Sequence, residues 1–431
     1  MSAGLLLYQV AAGLDAPGEH VCPPAKGIRV VAGDDVNAST HRRRLFDEWN
    51  SGGHTRAELI EVGQYTDEER KEMAASAQAG RCSYDVLILD VAWTQEFARN
   101  GYIDEIPLSA DRRAQFVPEV LRTGQVDGRQ YAVPFGTNVP LLYYKAGREY
   151  PRDVGRFLRL AARDGYAGQW DDYEGGTVNL LEAIHSYGAE VVEDGRVVVA
   201  EPENAEKAQV ALRQWGAMMA GAIARRPDHR TLQERSSMRE FRRPQIGYLR
   251  HWAYSFHELA ADPAMRAADG SLRFEIGRFP ARGVLGGFNL AIARNSPNAA
   301  EARELIDFLT SREAQTTLFT CGGYPAVIEQ VYTDFRERPT TCGKEGGDDE
   351  LALRADDLRT LAMVVRAGLD DAVTRPASPH YALFSEVFRS CVRTAVQGGR
   401  SSSIDLSALA TALQEALAGR RASDTPCTGA S

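Results

Sequence analysis

Carboxyl groups placed where the chain leaves a buried strand are the first candidates for chemistry. Asp34 and Asp35 follow the apolar run Ile28-Arg29-Val30-Val31-Ala32, and Asp90 ends Val86-Leu87-Ile88-Leu89. Ligands of parallel α/β sheets bind beyond the carboxyl ends of strands, which is where these acids fall. Two other readings stay open: Asp90 as a helix cap, and Asp34 with Asp35 as a solvated turn. A glycosidase needs two carboxylates flanking a bond, and Asp90 with Glu174 supplies such a pair. No other catalytic constellation stands out. There is no G-x-S-x-G elbow, no G-x-x-x-x-G-K-[ST] loop and no H-E-x-x-H. His251 and His257 are wrongly spaced to share a helical face, and no two cysteines stand as C-x-x-C. The expectation is no catalytic residue, no metal and no cofactor.

The elements that would position these groups alternate. Ile28 to Ala32 reads as a strand, followed by a helix around Leu45-Phe46-Asp47-Glu48-Trp49 with Ser39 and Thr40 as capping candidates. Leu59-Ile60-Glu61-Val62 is a second strand. Val86 to Leu89, apolar throughout, suits a strand covered on both faces. Helical spacing dominates from about 154 to 259. Strand signal returns at Gly286-Gly287-Phe288-Asn289-Leu290-Ala291-Ile292-Ala293. A helix follows, with Ala302, Leu305, Ile306 and Leu309 on one face and Ser296-Pro297-Asn298 as its start. Alternation of this kind predicts an α/β fold with a mostly parallel sheet. The order α/β, helical, α/β, helical predicts two lobes through which the chain passes more than once.

At 431 residues the chain is long enough for two or three domains, and its formal charge of −9 argues against a non-specific nucleic-acid binder. Arg42-Arg43-Arg44 reads as one exposed helix face. Residues 4–14 are mildly apolar without a positive residue ahead of them, a poor export signal; they read as an anchor stub or a frayed tail. Six cysteines are too few for a disulfide scaffold of this length. Cys321 and Cys342 flank one connecting segment and suggest a local disulfide, with buried free thiols as the other reading.

Five segments carry a resemblance. Tyr84 to Trp93 is followed by Phe97-Ala98-Arg99-Asn100-Gly101-Tyr102-Ile103; Tyr131-Ala132-Val133-Pro134-Phe135-Gly136-Thr137-Asn138 runs into Leu141-Leu142-Tyr143-Tyr144-Lys145. Tyr173-Glu174-Gly175-Gly176-Thr177 leads to Tyr187-Gly188-Ala189-Glu190. Arg250-His251-Trp252-Ala253-Tyr254 and the Gly286 strand with its helix complete the set. In this order they resemble the extracellular solute-binding proteins of carbohydrate-type ABC importers, the maltose/trehalose-binding branch, over roughly residues 28–417. Arg375-Pro376, with Tyr381 and Phe384, resembles that family's late cleft segment.

The resemblance implies a two-lobe periplasmic-binding-protein-like fold of the class II type with three hinge crossovers. Residues 1–26 would be a leader, 27–136 plus 282–322 one lobe, 137–281 plus 323–419 the other, and 420–431 a disordered tail. Crossovers are expected near Gly136, Pro280 to Gly283, and Gly322 to Tyr324. The implied ligand contacts are Asp35, Asp90, Asn138, Glu174, Trp252, Tyr254, Gly287, Phe288 and Arg375. Phe288 stands where the family usually has tryptophan, and Ala253 where it often has proline. The implied ligand is a sugar such as a disaccharide, held in an interlobe cleft by hinge closure and delivered to an ABC permease outside the membrane. No nucleic acid is expected as partner, and the chain is expected as a monomer. Such a set suits a polyol: carboxylates accept from hydroxyls, arginine supplies a planar fork of donors, and aromatic rings cover C–H faces. A ligand-sensing module of a larger membrane-anchored protein is the alternative that keeps the fold.

Overall fold

Two short apolar sheets organise the chain. In a computed structural model, residues 22–23, 26–34, 40–63, 66–342, 353–397, 404–421 and 427 are described. The first sheet contains β1 (Ile28–Ala32), β2 (Ala57–Glu61), β3 (Val86–Asp90), β4 (Val133–Asn138) and a late strand, Gly286–Ile292. The second contains β5 (Pro140–Lys145), β6 (Tyr166–Ala167), β7 (Tyr248–Trp252) and β8 (Phe274–Arg278), so the late strand of the first sheet is β9.

The order in the first sheet is β2-β1-β3-β9-β4. β1 pairs in parallel with both β2 and β3, whereas β9 runs antiparallel between β3 and β4. The buried residues of β3, Val86 to Leu89, show why a strand covered on both faces carries no polar alternation. In the second sheet the order is β8-β5-β7-β6, with β5 antiparallel to both neighbours.

Val139 alone joins β4 to β5, so the chain passes between sheets in one residue. It passes back between β8 and β9. There Val373 donates to the Gly283 carbonyl and Leu285 donates to the Val373 carbonyl, which lays the late segment against this crossing. Gly136, near which a crossover is expected, lies inside β4 shortly before the Val139 junction. Pro325 still bonds to the first sheet, its carbonyl accepting from Thr137 of β4, and the Val327 carbonyl accepts from Val117.

The helix Ala299–Leu309 buries Ala302, Leu305, Ile306 and Leu309 as its spacing predicts. The helix His41–Ser51 buries His41 and Arg42 with Leu45, Phe46 and Trp49, so Arg42 is not part of an exposed face. Thr40 precedes that helix with φ 57° and makes no side-chain cap; Ser39 lies outside the described residues. All six cysteines are paired: Cys22–Cys82, Cys321–Cys342 and Cys391–Cys427. Cys427 falls in the stretch expected as a disordered tail, most of which, like the leader, lies outside the described residues.

Candidate functional site

Because β9 runs against β3, its first residues reach the rim where β3 ends. Phe288 pairs with Asp90, and Gly286 with Asn138 at the end of β4. The ladder shifts register between Phe288 and Asn289, a bulge of the kind that re-aims side chains. Gly287 makes this possible. Its φ is +132°, and a Cβ there would stand 2.3 Å from the Gly136 carbonyl oxygen.

Asp90 does two things at this rim. Its Oδ1 accepts from the Ala92 amide at 2.8 Å, capping the short turn Val91–Trp93, and from Arg375 Nη2 at 2.5 Å. The helix-cap reading is therefore right but incomplete. Arg375 Nη1 donates to Glu174 Oε1 at 2.9 Å, so one guanidinium bridges two carboxylates. Glu174 opens the helix Glu174–His185 and also accepts from the Tyr381 and Ser385 hydroxyls, both at 2.6 Å. Burial raises the Asp90 carboxyl against the lowering effect of Arg375. Burial also works against the charge on Arg375, but Asp90, Tyr381 and Glu174 outweigh it and hold the guanidinium charged.

Trp252 ends β7, with Tyr254 just beyond it. The Arg250 guanidinium lies 4.1 Å from the Trp252 ring centroid, a cation–π contact on the indole. Arg250 is itself fully buried. It donates to both oxygens of Glu182 at 2.6 and 2.8 Å and to Gln169 Oε1 at 3.0 Å. Glu182 also accepts the Val284 amide at 3.1 Å, on the segment that returns to the first sheet. A Cβ on Gly286 would come within 3.1 Å of the Trp252 ring, so the indole reaches the start of β9.

A cavity of about 110 Å³ lies between these groups. Of the nine residues implied by resemblance, Asp90, Asn138, Glu174, Trp252, Tyr254, Gly287, Phe288 and Arg375 all line it; Asp35 lies outside the described residues. Two of their buried polar atoms, Asn138 Oδ1 and Arg375 Nε, have no partner within the described protein. A larger cleft of about 940 Å³ lies elsewhere, lined by Ile106, Leu108, Arg112, Arg303, Ile306 and Arg312 among others, and includes none of the nine. Volume is a poorer guide here than the convergence of charged and aromatic side chains.

The sequence reading missed several lining residues: Arg42, Glu69, Tyr173, Glu234 and Tyr324. Asp34, read as turn or ligand contact, lines the cavity as well. Arg42 donates to the Gly33 carbonyl and to Glu61, both at 2.7 Å. It stands at i, i+3, i+4, i+7 with Leu45, Phe46 and Trp49, a signal that places it on the buried face. Tyr173 donates to Glu234 Oε2 at 2.7 Å. Burial raises Glu234, with Tyr173, Arg250 and Trp252 opposing. Burial pushes Glu69 up to about 8, helped by Asp90, Asp34 and Asp67 and opposed by Arg42.

Metal chemistry finds no support among the described residues. His41 lies near Cys321 and Cys342, but those sulfurs are bonded to each other and offer no thiolate. His251 and His257 contact separate carbonyls, of Glu234 and Thr320, and burial pushes them down to about 3 and about 4, so both are neutral.

The comparisons agree with this architecture. A family model described as bacterial extracellular solute-binding protein matches residues 56–340. A probable ABC transporter-binding protein of Deinococcus radiodurans is 24% identical over 314 residues, which is 67% of this chain and 73% of that protein. Among solved structures, maltose-bound T. maritima MalE3 has a TM-score of 0.70 at 23% identity, covering 92% of this chain and all of the other. A Thermotoga lettingae solute-binding protein with α-D-tagatose has a TM-score of 0.73 at 18% identity, covering 91% of this chain and all of its own. An Agrobacterium vitis one with D-mannitol reaches 0.68 at 14% identity, covering 92% and 98%. The fold is that two-lobe fold, and with the family model spanning more than half its length the chain belongs to the bacterial extracellular solute-binding protein family.

Proposed function

We propose that this solute-binding protein captures a sugar or sugar alcohol between its two lobes and presents it to an ABC permease outside the cytoplasmic membrane. One observation carries the reading: Asp90 and Phe288 from the first sheet, and Trp252 and Tyr254 from the second, face one cavity together with Arg375. Aromatic faces cover ring C–H groups, while Asn138 Oδ1, Arg375 Nε and the backbone around Gly287 exchange hydrogen bonds with hydroxyls. Glu174 has a different role. Its oxygens accept from Arg375, Tyr381 and Ser385, so it positions Arg375 as well as lining the cavity.

That commitment also weighs against Asp90 and Glu174 as a glycosidase pair, which needs a carboxyl free to give its proton to a leaving group. The sugars and sugar alcohols carried by the relatives support a polyol, and three disulfides suit an oxidising compartment. We assign the lobes as 27–138 with 286–337, and 140–278 with 355–419. The chain would bend at Val139 and at 279–285, and ligand contacts made from both lobes would favour closure by their difference in affinity.

A thermal-shift screen against neutral and charged mono- and disaccharides and sugar alcohols tests this. The cognate compound at ~100 times its Kd raises stability by about 2.7 kcal/mol, and solution scattering should show compaction. No shift with any compound of the panel would refute sugar capture.

A further inference from the structure

The cavity is lined by more acid than its bases can answer. Five carboxyl groups border it, from Asp34, Glu69, Asp90, Glu174 and Glu234, against two guanidinium groups, Arg42 and Arg375. The bases are committed. Arg375 is shared between Asp90 and Glu174. Arg42 is bonded to Glu61 and to the Gly33 carbonyl. Among the described residues no ion pair reaches Asp34, Glu69 or Glu234.

Resting on the reading of this cleft as a sugar site, we propose that the ligand carries a positive charge: an amino sugar or a similar amine-bearing polyol. A neutral sugar would close the lobes over carboxyl groups that have no cation beside them, and these must then either stay protonated or lose the water around their charge at a cost. An ammonium group supplies that partner, and charge-assisted hydrogen bonds are the stronger kind. The Asn138 side-chain oxygen, on a residue only 8% exposed, is a further acceptor left without a protein donor at the same cavity. Against one orphaned donor, Arg375 Nε, stand the Asn138 oxygen and three carboxyl groups without an ion pair, and an ammonium is donors only.

Protonation separates this from neutral binding. Glu69 is held at about 8 by burial, with Asp90, Asp34 and Asp67 raising it and Arg42 lowering it, so at pH 7 its carboxyl is mostly neutral. A cation docking beside it lowers that value, and the carboxyl releases its proton to solvent.

The experiment is titration calorimetry in two buffers of different ionisation enthalpy, on the full chain. It compares each neutral sugar or sugar alcohol of the panel with its amino and N-acetylamino counterparts. The expected result is binding of an amino compound roughly tenfold or more tighter than its neutral parent, with proton release at pH 7 that the neutral parent does not show. Glu69→Gln should remove the proton release and bring the two affinities close together while the variant still melts cooperatively. If neutral parents bind as tightly as their amines or tighter, the charge assignment is overturned and sugar capture stands. If neither kind binds, sugar capture itself fails and this inference with it.

Discussion

Arg375 has to answer two carboxylates at once, on a side chain that is only 3% exposed. Replacing it with methionine leaves Asp90 and Glu174 buried without their cation, a loss of about 3–5 kcal/mol. Chemical denaturation should show it; a variant as stable as the parent would mean that the two acids are already neutral. Glu69 gives a second test, through pH. Its folded value of about 8 lies above the ordinary 4.5, so the folded protein holds this proton more tightly than the unfolded chain does. The stability this group contributes is complete below pH 4.5 and is lost as pH rises through 8. Calorimetric melting of Glu69→Gln against the parent should therefore favour the variant increasingly from pH 4.5 to 8 and level off above. A gap that does not change across that window contradicts the assignment. At this scale the sequence was partly legible. Asp90 stood out because it ends a buried strand, and Trp252 and Phe288 because of the segments around them. Glu69 and Glu234 sit on polar helices with nothing local to distinguish them, and only tertiary packing turns them toward the cavity.

At the scale of elements, β9 does most to build the rim. A strand inserted against the direction of its neighbour delivers Gly286, Gly287 and Phe288 to the end of β3, so residues almost two hundred positions apart share one edge. Gly287→Ala should crowd Gly136 and strain the backbone, at about 1–3 kcal/mol for the overpacking alone. A lower melting temperature together with weaker ligand binding is expected, since Asn138 and Phe288 flank the disturbed pairing. Normal melting and binding would show that the ladder can relax around the new methyl. The strands themselves were readable, because Val86 to Leu89 and Gly286 to Ala293 carry strong apolar runs, and the helix Ala299–Leu309 because its spacing is clean. The junctions were not. Val139 looks like any strand residue, and a junction one residue long leaves no composition to read.

For the molecule as a whole, the cysteines were the least legible feature. The sequence suggested a single local bond, Cys321 to Cys342, whereas the other two pairs join residues 60 and 36 positions apart that only the fold brings together. Thiol titration under denaturing, non-reducing conditions should find none of the six free. Reduction should then lower the melting temperature, since each closed loop of this size restrains the unfolded chain by about 2–4 kcal/mol. Six reactive thiols would remove the support that the bonds give to an extracytoplasmic setting. One buried carboxylate connects this largest scale with the smallest. Glu182 clamps the arginine beneath the indole and also grips the main chain at Val284, where the polypeptide swings back toward its first half. In the proposed closure floor and joint would thus share a bolt: whatever leans on the ring would also load the pivot, so altering the indole to accept a different cargo would retune how readily the jaws shut.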